Sequence, residues 1–538
     1  MGEVETNELQ PVLDALDSVL GHADQNLPVS SEKDGIERYL QDLTHLASVY
    51  RADDVYRLLL KGESALLAGA LTRSLLESAV LDRWVSSRPS EEKPFEATLA
   101  KERSRIAGEV ERRTELSVPT LKRWNNPTVR PELATAAHGR VFPDVQSTLS
   151  KLAPSTLESI MGLPAPLVDL LAMCGHCNHA ATWMTVSEPP HLIGVTGSRS
   201  FQALVAQIAG TSLASVRGFS DSPPVKALGS AASEFHGIAD FRPVDPPKGI
   251  EGVASTVKNE VGSYWLEEPP NEILFLHLER LMHAKSRMFE LINEAPNPFE
   301  GSTSEINLVW ALPYLAARDL LLRTLTAVDG NDSPFMAPTS ARILFEQGGQ
   351  FSWMVKDPAI DSVQSIYTAT MDDAANRKKL IVDALRRRNV DEGSVEALMY
   401  PLGRAEYAVD KRRTPSNMKL PTIASASAQL GRMNLGRFEP DWGPLAYSLL
   451  TQVAHATPLG LLHAFANADP TTGHARLSPE MTALSIDTAC IGAAFTFRSL
   501  APVVTNVCGL PDPKDWLIEV FNEMHKIHYY SQPIHFLG

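Results

Sequence analysis

The chain has 538 residues, of which 44% are hydrophobic and 21% are charged, which excludes a disordered protein and predicts about two to four globular domains. The formal net charge of −15 disfavours a general nucleic-acid binder, because such proteins normally have an overall basic balance. Four cysteines are too few for a disulfide framework, and the N-terminus has no apolar signal core, so we expect a reducing, cytoplasmic location.

Helical periodicity dominates the sequence and predicts an all-α fold. The predicted helices, in chain order, are Ile36–Tyr50, Asp54–Trp84, Ala97–Thr114, Leu167–Trp183, Phe201–Arg217, Asn271–Asn293, Glu305–Val328, Thr339–Val355, Asp372–Asn389, Pro444–Phe465, Ser478–Leu500 and Pro513–His528. The longest apolar stretch, Ala483–Leu510, is interrupted by Asp487 and Arg498. This favours buried core helices over a membrane span, so no membrane contact is expected.

Proline-rich sequence divides the chain into two parts. The stretch from Ser220 to Pro270 contains the pairs Pro223-Pro224, Pro246-Pro247 and Pro269-Pro270, which are typical of a long connection. We therefore expect a first helical unit at residues 1–220, a connection with one helix at 221–300, and a second helical unit at 301–538.

Two windows of the sequence share five residues at identical offsets. The first window contains Ser64, Ala68, Arg73, Glu77 and Trp84. The second window contains Ser333, Ala337, Arg342, Glu346 and Trp353. Later in each part an apolar helix carries a histidine before an alanine, at His179 and at His455. The recurrence predicts two diverged copies of one helical-bundle unit in a pseudo-symmetric arrangement.

The repeated arginine and glutamate are candidates for a buried polar site. Arg73 and Glu77 lie four residues apart, so both project from the same face of a helix that is apolar on its other faces. A buried pair of this kind is costly unless it is fully hydrogen-bonded. It predicts either a site for a polar or anionic ligand, in which Glu77 orients Arg73, or a structural ion pair. The recurrence as Arg342 and Glu346 is compatible with both.

His455 is the candidate for proton transfer. It lies four residues after Thr451 and eight after Tyr447, so the three share a helix face. A histidine near a buried Arg–Glu pair can act as acid or base near neutral pH, whereas the alternative is a core histidine bonded to a neighbour. The candidate catalytic residues are Arg342, Glu346 and His455. The candidate ligand-binding residues are Arg73, Glu77, His179, Tyr447 and Thr451.

The segment Cys174-Gly-His176-Cys177-Asn-His179 has the residue types of a metal site. On a helix, with about 100° between residues, its histidines fall on one side and its cysteines on the other. A tetrahedral zinc site needs all its ligands to converge, so no metal is predicted. The sequence also lacks a phosphate-binding loop, a dinucleotide fingerprint and a serine-hydrolase elbow, so no cofactor is expected.

The segment Arg377–Arg413 is rich in arginine and lysine and includes Lys411-Arg412-Arg413. Such a segment can contact the phosphates of RNA or of a nucleotide. The alternative is a solvated helix face, which is the usual setting of a charge run.

The Arg-x-x-x-Glu helix, followed later by an apolar helix with a histidine, resembles uncharacterised bacterial helical domains that are distantly similar to the HEPN superfamily. The resemblance covers the parts around Arg73 and His179 and around Arg342 and His455. HEPN members include ribonucleases of toxin and phage-defence systems, so the resemblance implies an RNA-cleaving effector. The superfamily's motif, an arginine followed after four to six residues by a histidine, is absent from these positions. Arg38 and His45 fit its spacing elsewhere in the chain.

Two functions from different classes remain open. In the first, the protein is a non-enzymatic helical binding or assembly module, for which a homodimer is one form, and its Arg–Glu–His residues are structural or hold a ligand. In the second, it is a ribonuclease in which Arg342 binds a phosphate, Glu346 orients that arginine, and His455 transfers a proton.

Overall fold

The computed structural model consists of helices and contains no strand in the part of the chain that it describes, which confirms the predicted all-α class. The described residues are 8–24, 35–86, 92–114, 141–142, 165–175, 182, 197–238, 272–294, 305–328, 333–355, 372, 375–376, 378–408, 442–465, 477–506 and 511–536.

The helices fall into two groups along the chain. Those of the N-terminal half are α1 (Gln10–Asp24), α2 (Ile36–Leu60), α3 (Ala65–Ser86), α4 (Pro94–Thr114), α5 (Ala165–Gly175), α6 (Arg199–Arg217) and α7 (Pro223–His236). Those of the C-terminal half are α8 (Glu272–Asn293), α9 (Glu305–Ala327), α10 (Met336–Val355), α11 (Glu392–Ala408), α12 (Trp442–Ala454), α13 (Pro458–Ala464), α14 (Pro479–Asn506) and α15 (Lys514–Phe536).

Serine side chains fix the first turn of a long helix in each half. The hydroxyl of Ser198 accepts a hydrogen bond from the backbone N–H of Phe201 at 3.3 Å, at the start of α6. The hydroxyl of Ser478 accepts one from the N–H of Met481, also at 3.3 Å, at the start of α14. Each serine satisfies a backbone donor that has no partner within its own helix, which is why polar residues precede these apolar segments.

In the N-terminal half, α3 is the central helix. It packs against α2, α5 and α6, while α6 also contacts α1, α2 and α7, and α1 contacts α2 and α7. Leu66, Leu67, Leu71 and Leu75 of α3 are all fully buried, so this helix is surrounded on every side. Each buried leucine side chain contributes roughly 1.5–3 kcal/mol through removal of apolar surface from water.

In the C-terminal half, α10 has the corresponding central position. It packs against α9, α12 and α14, while α14 also contacts α8, α9 and α15, and α8 contacts α9 and α15. The two halves meet where α3 contacts α10, where α4 contacts α12 and α13, where α2 contacts α13, and where α6 and α7 contact α11. The charged pairs of α3 and α10 lie at the first of these contacts.

The structure differs from the predicted connection at 221–300, because two helices of this region belong to the two halves. The first, α7, buries Val225 and Leu228 against the N-terminal half, where it contacts α1 and α6. The second, α8, buries Leu281 and Met288 in the C-terminal half, where it contacts α15. The amphipathic face of α7 therefore lies in the region that its prolines suggested to be irregular, whereas α8 corresponds to the predicted helix Asn271–Asn293.

Among the described residues, α14 is long and apolar enough to cross a membrane, and 78% of its most apolar window is buried inside the structure. The interior contacts come from α10, α9 and α15. An apolar helix of this length is expected at the centre of a helical bundle, where all of its faces meet other helices.

Glycine allows α10 and α14 to approach closely. A Cβ atom added at Gly348 of α10 would lie 2.5 Å from the carbonyl oxygen of Gly492 of α14, and 2.6 Å from its Cα. Backbone cannot move aside as a flexible side chain can, so these two positions require glycine for the observed crossing.

We predict that Gly348→Ala lowers the free energy of unfolding by about 1–3 kcal/mol, because the added methyl group forces α10 and α14 apart. The control is Gly21→Ala on α1, where nothing lies within 4 Å of the added Cβ. That change is expected to stabilise the protein by up to about 1 kcal/mol through helix propensity. Urea unfolding of the three proteins measures both effects, and equal midpoints for Gly348→Ala and wild type would contradict the prediction.

Candidate functional site

Both repeated Arg–Glu pairs are formed, and both are buried. Arg73 Nε donates to Glu77 Oε1 at 3.1 Å on α3, and both side chains are 4% exposed. Arg342 Nη2 lies 3.1 Å from Glu346 Oε1 on α10, with side-chain exposures of 5% and 0%. The four-residue spacing places each pair on one helix face, and the packing of α3 against α10 turns those faces towards each other.

His455 joins the two pairs into one group, which we call the interface cluster (Arg73, Glu77, Arg342, Glu346, Tyr447 and His455). It follows the last residue of α12, and its Nδ1 lies 2.5 Å from Glu77 Oε2 of the N-terminal half. Its Nε2 lies 3.0 Å from Arg342 Nη1. The sequence placed an Arg–Glu site in each half, whereas the structure brings the residues of both halves into contact through one imidazole.

Tyr447 and Thr451 have different relations to the cluster. Arg342 Nη2 donates to the Tyr447 hydroxyl at 3.4 Å, and its guanidinium lies over the Tyr447 ring at 5.5 Å from the ring centre. The Thr451 hydroxyl donates to the backbone carbonyl of Tyr447 at 2.7 Å, so it satisfies its own helix. Tyr447 therefore contributes to the cluster, and Thr451 supports the helix that carries it.

Arg51, which the sequence analysis did not identify, determines where α12 ends. Its side chain is fully buried on α2. Nη2 donates to the carbonyls of Val453 and Ala454 at 3.3 and 3.1 Å, and Nη1 donates to the Ser78 hydroxyl at 3.1 Å. A cation at the C-terminal end of a helix satisfies its last carbonyls and opposes the negative end of the helix dipole. Arg51 thus holds α12 from the opposite half.

Two further contacts support this arrangement at the end of α12. The Ser74 hydroxyl of α3 donates to the carbonyl of Ala454, and the Arg51 guanidinium lies 4.5 Å from the centre of the Phe335 ring. Burial lowers the pKa of Arg51 to about 9, which leaves it protonated at neutral pH. The sequence does contain a signal that Arg51 is buried. It follows Ala47 by four residues, so both lie on the buried face of α2.

The pKa values of the cluster follow from burial and from neighbouring charges. Burial alone would raise the pKa of Glu77, but His455, Arg73 and Arg342 more than offset this and hold it well below its usual range. Burial would lower the pKa of Arg342, but the carboxylate of Glu346 raises it above its usual range. Both carboxylate–arginine pairs are therefore ionised at neutral pH.

A second buried carboxylate lies beside the turn that follows His455. Glu102 of α4 accepts a hydrogen bond from the backbone N–H of Leu459 at 3.0 Å, at the start of α13. The amide nitrogen of Gln452 donates to Glu102 Oε1 at 2.9 Å, and the amide oxygen accepts from Arg105 at 2.9 Å. Burial raises the pKa of Glu102 to about 7 despite these bonds. The turn is thus held between α3 and α4 of the N-terminal half.

Other residues singled out by the sequence do not join the cluster, or lie outside the described residues. Cys174 is buried, while His176, Cys177 and His179 are among the residues that the structure does not describe, and no metal-binding group of side chains occurs in the part that it does. Arg38 is exposed, and the partly buried His45 contacts Asp82 at 3.4 Å. The HEPN-like spacing of these two residues therefore does not form an Arg–His pair.

The basic segment Arg377–Arg413 is only partly described. Lys379, Arg386 and Arg387 are exposed, and Arg386 forms an ion pair with Glu392. Lys411, Arg412 and Arg413 lie outside the described residues. The expected contact with RNA or a nucleotide at this segment stays a prediction.

Comparison with known proteins gives no relative. No family model matches the sequence, and no curated protein or solved structure matches it. The function must therefore be inferred from the chemistry of the interface cluster.

We predict that Glu77→Gln lowers the free energy of unfolding by about 3–5 kcal/mol, because it removes one carboxylate from a buried group of charges. Arg73 loses its ion pair, and His455 loses an ionised acceptor. The control is Glu290→Gln, since the ion pair of Glu290 with Arg287 is exposed and little change is expected there. Urea unfolding at pH 7.5 measures the difference, and a Glu77→Gln variant as stable as its control would contradict a structural role for the pair.

The raised pKa of Glu102 predicts that the stability of the protein depends on pH through this residue. The sign of this dependence is opposite to that expected for a carboxylate whose pKa is lowered by folding. Its folded-state pKa of about 7 exceeds the ordinary value of 4.5, so its contribution to stability is complete below pH 4.5 and is lost as the pH rises through 7. Glu102→Gln does not titrate, so the stability of wild type relative to this variant should fall by about 3 kcal/mol between pH 4.5 and pH 8. Denaturant unfolding across this range tests it, and parallel stability curves would refute it.

Proposed function

We propose that the protein is a helical binding and assembly protein whose interface cluster connects two diverged copies of one helical unit. The proposal rests on one observation: both ring nitrogens of His455 already have hydrogen-bond partners within the protein. Nδ1 is bonded to Glu77 of the other half and Nε2 to Arg342, so the imidazole links the two pairs and has no nitrogen left for a substrate proton.

The packing of the helices supports the duplication. The helices correspond in order as α1 to α8, α2 to α9, α3 to α10, α5 to α12, α6 to α14 and α7 to α15. Every contact described above within the first set has its counterpart within the second, including the central positions of α3 and α10. Under this correspondence Arg73 is the counterpart of Arg342, as two copies of an ancestral bundle would require.

A second buried pair supports the same correspondence. Gln207 of α6 and Asp487 of α14 each lie nine residues after the capping serine, Ser198 or Ser478. Each contacts a histidine of the next helix. Gln207 Oε1 lies 2.6 Å from His236 Nε2, and Asp487 Oδ2 lies 2.9 Å from His528 Nδ1. The repeat was predicted from other residues, so this shared contact with a histidine is independent support for the duplication.

The ribonuclease remains the second candidate, because one observation favours it. Arg342 does lie within hydrogen-bond reach of both Glu346 and His455, as a phosphate-binding and proton-transferring group requires. Against it, the Nε2 lone pair of His455 already accepts from Arg342, and the guanidinium and both carboxylates are nearly fully buried. A phosphate would have to displace Arg342 from the imidazole before any proton transfer.

Replacement of His455 separates the two candidates. We predict that His455→Ala lowers the free energy of unfolding by about 3 kcal/mol, because Glu77 and Arg342 each lose a buried partner. The matched control is His45→Ala, since its side chain is 20% exposed, compared with 22% for His455, and also faces a carboxylate. The contact of His45 with Asp82 lies within the N-terminal half, so a smaller loss is expected.

The same proteins are incubated with a mixture of structured and single-stranded RNAs, and their mass is determined by analytical ultracentrifugation. A binding and assembly protein leaves the RNA intact and forms a stable complex, either with itself or with a captured partner. RNA cleavage that His455→Ala abolishes without loss of stability would overturn the proposal in favour of the ribonuclease.

A further inference from the structure

The protons on His455 are fixed by the groups that surround it. Arg342 Nη1 lies 3.0 Å from Nε2 and can only donate, so Nε2 is the unprotonated nitrogen. Glu77 Oε2 lies 2.5 Å from Nδ1 and, as a carboxylate, only accepts, so Nδ1 carries the proton. The ring is therefore neutral, and a chain of donors runs from Arg342 through His455 to Glu77.

A second proton on the imidazole is incompatible with this chain. It would place an N–H group at Nε2 opposite an N–H group of Arg342, and two positive charges about 3.0 Å apart. Arg342 has two other acceptors within reach, Glu346 Oε1 at 3.1 Å and the Tyr447 hydroxyl at 3.4 Å. The contact with Glu77 becomes an ion pair when His455 is charged. Protonation thus breaks one of the two contacts of the ring and strengthens the other.

We propose that His455 is a pH-sensitive switch at the contact between the two halves. When the ring takes up a proton, Arg342 leaves the imidazole and keeps its contacts with Glu346 and Tyr447. The turn after α12 stays with Glu77 of the N-terminal half. Arg342 then no longer connects to Glu77. The switch rests on the proposed function, because it regulates the contact that connects the two units.

The charges around His455 determine where the switch acts. The groups that face it or the adjoining turn are Arg51 and Asp54 of α2, Arg73 and Glu77 of α3, Glu102 and Arg105 of α4, Arg342 and Glu346 of α10, and Tyr447 of α12. Burial lowers the pKa of His455, Glu77 raises it and Arg342 lowers it, and the net result is below the ordinary 6.5. The side chain is 22% exposed, so a proton from solvent can reach it.

The lowered pKa of His455 determines how the stability of the protein changes with pH. A histidine whose pKa is lower in the folded than in the unfolded state contributes stability that is complete above pH 6.5. That contribution is lost as the pH falls below 6.5 through the folded-state pKa. The contact between Arg342 and His455 therefore persists at neutral pH and opens under mildly acidic conditions.

The test uses the full-length protein labelled with ¹⁵N-histidine, in which the His455 resonances are identified by their loss in His455→Gln. We expect an unprotonated Nε2 at pH 7.5 and proton uptake with a midpoint below pH 6.5. Hydrogen exchange of the segment 442–465 is measured in the Glu102→Gln background, so that titration of Glu102 beside Leu459 does not contribute, and is corrected for intrinsic rates. It should be at least threefold faster at pH 5.5 than at pH 7.5. His455→Gln should lack this change, because its side-chain oxygen can accept from Arg342 but does not titrate.

Tyr447→Phe is a second, conservative variant, in case His455→Gln does not fold. It removes one of the two acceptors that hold Arg342 when it leaves His455. The midpoint of proton uptake by His455 should therefore move to lower pH. A protonated Nε2 at pH 7.5, a ring that stays neutral down to pH 4.5, or equal exchange at both pH values would overturn the switch. Failure of the proposed function is distinct, since it would appear at pH 7.5 as RNA cleavage or as a fully stable His455→Ala variant.

Discussion

The structure depends on the neutralisation of charges that are buried between its two halves. Moving a guanidinium or a carboxylate out of water costs several kcal/mol, and this cost is offset only where partners surround it. Arg51, Glu77 and Arg342 each find part of their partners on the opposite half or on the turn after α12. Neither half can therefore satisfy its own interior without the other.

This constraint explains the position of His455. The end of α12 is held by Arg51 and Ser74, whose donors reach the carbonyl of Ala454 from the N-terminal half. On the other side of the turn, Glu102 accepts a hydrogen bond from the backbone N–H of Leu459 at the start of α13. Because the chain is fixed on both sides of the turn, the imidazole of His455 is held between Glu77 and Arg342. Outside the cluster, an ion pair of Arg323 with Glu63 at 2.7 Å joins the halves in the same way.

The sequence predicted the helical class and the two Arg–Glu pairs, because spacing along a helix determines which side chains share a face. It did not predict that Glu77 would meet His455, since no pattern within one segment indicates which faces of distant segments will pack together. Arg51 and Glu102 were missed for a related reason. Their partners include backbone groups at the ends of other helices, and a backbone carbonyl or N–H group carries no residue-type signal. The proline-rich region hid α7, whose apolar face was a weaker signal than the prolines around it, whereas α8 was predicted as Asn271–Asn293.

Differences between the equivalent positions show how the two proposed copies have diverged. Arg342 lies against Tyr447 and His455, whereas Arg73 lies against Gly175, where an added Cβ would come within 3.2 Å of Nη1. At the second repeated pair, Gln207 is neutral and burial lowers the pKa of its partner His236 to about 4, so that pair carries no charge at neutral pH. In the other copy Asp487 replaces the amide by a carboxylate. Under the proposed duplication, a buried polar contact to a histidine has been retained at Gln207 and Asp487 while its charge has changed. Such a change favours packing, rather than a shared chemical reaction, as the common requirement of the two proposed copies.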